Sequence, residues 1–175
     1  GIVHCQITNP RILKEMKEHD ILAYIQPVFV DLDMNTVEPA IGAHRMEGIY
    51  AWKSMLDLGI HASGGSDAPV DSFDAMENIY FAVTRKNIYG EPEEGWIPSE
   101  RLSVDEAVKL FTKDAAYASY TEDENGTIEI GKNADFVILE KDIYKIDQNE
   151  IKTTKVDMTI LGGRTVYERK CDIKK

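Results

Sequence analysis

The stretch Ile60-His61-Ala62-Ser63-Gly64-Gly65-Ser66-Asp67-Ala68-Pro69-Val70 decides how this chain is read. A short apolar run breaks on two glycines and then presents an acid. Glycine lets the backbone turn sharply, and an aspartate just past the carboxyl end of a strand is where an α/β barrel places a catalytic group. The chain opens in a matching way, because Gly1-Ile2-Val3-His4-Cys5-Gln6 is a second apolar strand that ends on a histidine. A strand-end imidazole and a strand-end carboxylate together suggest half of a metal-hydrolase site.

Between these two points the pattern alternates. Asn9 and Pro10 give a helix start, an N-cap followed by proline at the first helical position. Ile12, Leu13 and Met16 then recur at helical spacing up to His19-Asp20. Ile21 to Ile25 reads as a buried strand stopped by Gln26-Pro27, since proline cannot donate to a ladder. Val28 to Arg45 is irregular, and a loop of that length inside a compact unit is uncommon unless it is functional or disordered. Glu47 to Leu58 places Ile49, Trp52, Met55 and Leu56 on one helical face before Gly59. Helix and strand in alternation imply parallel strands with crossover helices outside.

Further along, Phe73 to Val83 predicts a helix, Tyr89 to Arg101 a surface loop, and Ser103-Val104-Asp105-Glu106 a capping box. A short helix over Asp114 to Ser119 follows. From Asn125-Gly126 the period changes to two, with strands expected over Thr127–Ile130, Ala134–Glu140, Val156–Leu161 and Thr165–Glu168. The last two are joined by Gly162-Gly163, which suits a tight hairpin turn. The expected boundary divides residues 1–122 from a small β unit over 123–175.

The 175 residues carry 20 basic and 31 acidic side chains, a formal charge of −11, which repels nucleic-acid phosphates and anionic lipid. No apolar run is long enough to span a bilayer or to act as a signal peptide. Cys5 and Cys171 lie at opposite ends with neither disulfide-framework nor zinc-knuckle spacing, so a reducing cytoplasm is the expected compartment. A closed eight-stranded barrel takes roughly 250 residues, more than this chain has. With Gly rather than Met at position 1, the expectation is a piece of a longer protein or a cloning scar.

Seven pieces in order carry a family resemblance: Val3-His4-Cys5-Gln6, Gln26-Pro27 with Asp33 following, Gly42-Ala43-His44-Arg45, Tyr50-Ala51-Trp52, Gly64 to Val70, Ala82-Val83-Thr84-Arg85, and Gly131-Lys132-Asn133-Ala134-Asp135-Phe136-Val137. The chain resembles the amidohydrolase superfamily, most closely the family 3 branch that includes N-substituted formamide deformylase-like enzymes. The resemblance implies an α/β fold, the C-terminal part of a (β/α)8 TIM barrel (strands six to eight with their helices) plus part of a β-sandwich. It implies a metal-dependent hydrolase, with zinc the expected ion, that opens a non-peptide carbon–nitrogen bond in an amide-like small molecule.

Within that resemblance His4 ends strand six and ligates a metal or hydrogen-bonds the substrate carbonyl, while Asp67 ends strand eight as metal ligand and proton carrier. Arg45 is the candidate substrate clamp, binding a carboxylate in bidentate fashion. Each residue has a plainer reading: Asp67 as a turn cap, His4 as an ordinary core or surface histidine, Arg45 as a solvent-facing ion pair. Asp33, Asp71 and Asp74 are assigned to turns and caps, and Tyr50 and Trp52 to packing of a helix on the sheet.

The family's His-x-His of strand one and its ligands from strands four and five match nothing in this sequence. The chain alone is therefore expected to be inactive, to hold no tight metal, and to associate with itself through exposed strand edges. Two alternatives stay open: a non-catalytic regulatory or binding module on the same fold, and a deaminase-type amidohydrolase.

Overall fold

The computed structural model describes residues 1–170, so Cys171 lies outside the described residues. The first sheet holds three parallel strands in the order β1 (Ile2–Val3), β2 (Ala23–Ile25) and β3 (Ala62–Gly64). Helix α1 (Pro10–Glu18) connects β1 to β2, and its start is the predicted one: the Asn9 side chain accepts from the Ile12 amide at 3.0 Å, with proline at the first turn. Its apolar stripe buries Leu13 and Met16, while His19 closes its end beside Glu15.

The chain from β2 to β3 departs from expectation twice. Residues 28–45 are a run of short helical pieces, with 3₁₀ turns at Pro27–Phe29 and Ala43–Arg45 around α2 (Val30–Asp33) and α3 (Val37–Ile41). The expected helix over 47–58 shrinks to α4 (Trp52–Asp57). Gly48 and Tyr50 have φ of 83° and 46°, which a right-handed helix does not accept, and Ile49 forms an antiparallel bridge with Ile7 instead. Ile49, Tyr50 and Trp52 are nonetheless among the most buried side chains, at 1% exposure each. Their spacing recorded burial, not helix.

Helix α5 (Ala75–Thr84) begins on Asp74, whose carboxylate accepts from the Met76 amide at 2.8 Å. Ile79 through Thr84 are buried without a break, as a helix surrounded by protein requires. Helix α6 (Val104–Leu110) carries the predicted capping box, with Ser103 and Glu106 satisfying each other's amides. Helix α7 (Lys113–Ala118) packs beside β3, where Tyr117 stacks on His61 with ring centroids 4.1 Å apart.

The second sheet is antiparallel, in the order β4 (Phe136–Leu139), β5 (Val156–Leu161) and β6 (Arg164–Glu168). Gly162 and Gly163 close the β5–β6 hairpin with φ of 55° and 74°, the positive pair that a two-residue turn of this twist demands. The expected strand over 127–130 is absent: Ile128 and Ile130 are exposed, and the Lys132 ammonium bonds the Thr127 hydroxyl and the Glu122 carbonyl, curling the segment on itself. Between β4 and β5 a 3₁₀ stretch, Gln148–Thr153, lies along α5, and Ile143 and Ile151 join the core of the first layer. Among the described residues no helix is long and apolar enough to cross a membrane.

Candidate functional site

The register of the parallel sheet fixes the geometry of the site. Val3 sits opposite Tyr24 and Tyr24 opposite Ser63, so His4 comes level with Ile25 and Gly64 at the carboxyl ends of all three strands. Asp67 follows three residues beyond Gly64, at the same end. In an open parallel sheet ligands bind outside these ends. His4 and Asp67 are carried by the two outer strands, two strand spacings or about 10 Å apart at the level of the sheet.

Gln26 occupies the middle position on this rim. Its side-chain carbonyl accepts from the Nδ1–H of His4 at 2.9 Å, and it is itself 7% exposed. An imidazole that donates through Nδ1 keeps its lone pair on Nε2, and Nε2 of His4 has no hydrogen-bond partner among the described residues. This is the tautomer that metal-ligating histidines adopt when a carbonyl orients them. Phe29 lies against the same ring, centroid to centroid 5.6 Å.

Both candidates sit on strained backbone. His4 and Cys5 have φ of 67° and 46°, and Asp67 has φ of 57°. Aspartate tolerates the left-handed region better than most residues, yet such conformations concentrate where a site over-determines them. The Asp67 carbonyl accepts from the Val70 amide at 2.8 Å, closing the turn through main chain. Its carboxylate is exposed and forms no hydrogen bond or ion pair among the described residues, so the turn-capping alternative lacks its side-chain bond.

Arg45 ends the 3₁₀ turn before Met46 and is exposed. It lines a groove of about 450 Å³ with Ile7, Thr8, Asn9 and His44, beside the start of α1. That groove belongs to the loop following β1, and Arg45 does not share it with His4, Gln26 or Asp67. Among the described residues it makes no ion pair, so the surface salt bridge is not formed either.

A polar network behind His4 escaped the sequence reading. The Gln6 amide donates to the Asp33 carboxylate at 2.9 Å and to the Tyr50 hydroxyl oxygen at 2.6 Å, and the Tyr50 hydroxyl donates to the same Asp33 oxygen. Burial, and then the Asp33 carboxylate, push the Tyr50 phenol far above its ordinary range, which keeps it a proton donor. Asp33 is thus a partner of a buried tyrosine, not only a turn residue. The signal was the Tyr50-Ala51-Trp52 piece itself, because a buried tyrosine needs a partner for its hydroxyl.

A family model described as the amidohydrolase family matches residues 1–167. The chain belongs to the amidohydrolase family. It is 33% identical over 168 residues to YtcJ of Bacillus subtilis, a protein named as an amidohydrolase, with 96% of this chain and 32% of that one covered. It is 34% identical over 121 residues to the N-substituted formamide deformylase of Arthrobacter pascens, covering 69% of this chain and 22% of the enzyme. A crystal structure of a metal-dependent hydrolase from Pyrococcus furiosus aligns with a TM-score of 0.70 at 28% identity, over 82% of this chain and 28% of that chain. The chain therefore spans less than a third of the length of these amidohydrolase relatives. Among its described residues no group of three or more His, Cys, Asp and Glu side chains is placed to hold a metal.

Proposed function

We propose that this chain supplies the last part of a metal-dependent amidohydrolase: strands six to eight of a (β/α)8 barrel over residues 1–122 and part of a β-sandwich unit over 123–175. The longer protein would open a non-peptide carbon–nitrogen bond in an amide-like small molecule. One observation carries this reading: His4 and Asp67 stand at the same carboxyl end of one parallel sheet, in a chain whose family includes a formamide deformylase.

The donor set fits half of a catalytic zinc site. Nε2 of His4 offers a free lone pair and Asp67 a free carboxylate, whereas such a site takes three protein ligands and keeps a position for water. The remaining ligands would come from other strands of the barrel, which is why the chain alone is expected to be inactive. When bound, the ion lowers the pKa of its water to about 7 and polarises the scissile carbonyl.

Around it the chain's own residues divide the work. Gln26 fixes the imidazole of His4 in the tautomer that presents Nε2 to an ion or to a substrate carbonyl. Asp67, exposed and free of other bonds, accepts a proton from the attacking water and returns it to the leaving nitrogen. Arg45 is the cation available to a substrate carboxylate arriving over the loop after β1. The test is a screen of the longer protein against formamides and N-acyl amino acids, with and without added zinc. Hydrolysis abolished by Asp67→Asn and by His4→Asn supports the reading; hydrolysis that survives both substitutions overturns it.

A further inference from the structure

His4 is the central residue of an unusual turn. The Cys5 amide donates to the Val3 carbonyl at 2.9 Å, a bond spanning only two residues, while His4 has φ of 67°. This is the positive-φ form of the γ-turn, rare and strained, and the next residue is left-handed as well. Two consecutive non-glycine residues in this region persist only when their surroundings over-determine them. On the upstream side β1 contributes little, since Ile2–Val3 is a two-residue strand at the edge of the sheet. Side chains hold the turn locally, His4 against Gln26 and Phe29 and the buried Cys5 against Met16, while the main-chain restraint comes from downstream.

It comes through Tyr50. The Tyr50 amide donates to the Gln6 carbonyl at 2.7 Å, and its hydroxyl meets both the Gln6 side chain and Asp33. One residue therefore grips Gln6 by main chain and side chain at once. Tyr50 is held in turn by Arg85, which is fully buried and donates from Nη1 to the Tyr50 carbonyl at 3.0 Å and from Nε to the Trp96 carbonyl at 2.9 Å. The Trp96 ring packs edge-on against the Tyr50 ring, centroids 5.0 Å apart.

We propose that Tyr50, locked by Arg85, is the positioning residue that holds the strained turn at His4, so that the imidazole bonds Gln26 through Nδ1 and keeps Nε2 free. This deepens the reading of His4 as a site residue and rests on it for its functional meaning, but the mechanical claim is tested without metal or substrate. The probe is the chain itself, in two near-isosteric variants, Tyr50→Phe and Asp33→Leu. The first removes the Tyr50 hydroxyl and the second removes the oxygen that accepts from it and from the Gln6 amide.

Imidazole ¹H–¹⁵N correlation spectra at pH about 8, above the ordinary histidine range, report the His4 tautomer. Amide hydrogen exchange reports the Cys5-to-Val3 bond. The wild-type chain should show the Nδ1–H tautomer alone. In each variant the His4 signals should move toward a mixture of tautomers and the Cys5 amide should exchange about fivefold faster or more, with amides of β2 and α5 unchanged as the measure of intact folding. A folded variant that keeps either the wild-type His4 signature or the wild-type Cys5 exchange overturns the proposal. Should Tyr50→Phe fail to fold, Asp33→Leu, at a half-buried position, decides it. A failure of the hydrolase reading shows up separately, as hydrolysis indifferent to His4 and Asp67, and leaves these two readouts untouched.

Discussion

The guanidinium carbon of Arg85 lies 4.3 Å from the centre of the Trp52 ring, in a position where no part of the arginine reaches solvent. Trp52 opens α4 and Arg85 follows α5, so the stacked pair ties together the two helices that flank β3 in the chain. Burial pushes the arginine below its ordinary pKa, opposed by the nearby Glu100 carboxylate. Glu100 is itself anchored on the first turn of α4, accepting from the Ser54 amide at 2.9 Å.

Arg85→Met should therefore destabilise the chain by about 3 kcal/mol in urea unfolding. The Trp96 and Tyr50 carbonyls would lose their donor, at roughly 1–3 kcal/mol for each buried group left unmade, and the stacking on tryptophan would go with them. The cost of desolvating the charge is recovered, which keeps the total below the simple sum. A loss under about 1 kcal/mol would show that these contacts are incidental.

Asp67 should behave in the opposite way. Its carboxylate is exposed and unbonded among the described residues, so Asp67→Asn should change stability by no more than about 0.5 kcal/mol. In the longer protein the same substitution should lower hydrolysis by roughly 10² to 10⁴, the usual worth of a positioned proton carrier. Equal losses of stability and activity would point to a structural carboxylate.

Much of the scaffold was legible because local chemistry determined it. Asn9-Pro10 began α1, Ser103 and Glu106 formed their box, and Gly162-Gly163 closed a hairpin. The parallel sheet followed from the alternation of helix and strand. What local chemistry could not supply was the partner of each segment. Thr127 to Ile130 has the alternation of a strand, yet it pairs with no other strand among the described residues and curls over Lys132. Ile49 and Trp52 have helical spacing, but the bridge to Ile7 and the grip of Tyr50 on Gln6 set that backbone. Gln26, Asp33 and Arg85 all lie inside segments that carry the family resemblance. Their roles became visible only when strands and loops distant in sequence were brought together.

Asp114 gives a pH signature. Burial raises its pKa above the ordinary aspartate value, with Lys113 and His61 opposing the shift. A carboxyl whose folded pKa exceeds its unfolded one contributes stability below the unfolded value and loses it as pH rises through the folded value. Asp114→Asn should accordingly raise the melting temperature near pH 7, and the advantage should fade as the pH falls below about 4. A variant less stable than the parent at neutral pH would contradict this.

His4 and Asp67 are proposed to face one metal-dependent site completed by strands outside this chain. The most direct measurement is anomalous diffraction from crystals of the longer protein grown with zinc, collected at the zinc edge. An anomalous peak is expected at the rim, with an Asp67 carboxylate oxygen about 2.0–2.2 Å from the ion and His4 turned toward the same cavity. A well-occupied catalytic ion bound elsewhere, with Asp67 and His4 pointing away from it, would remove both residues from the site.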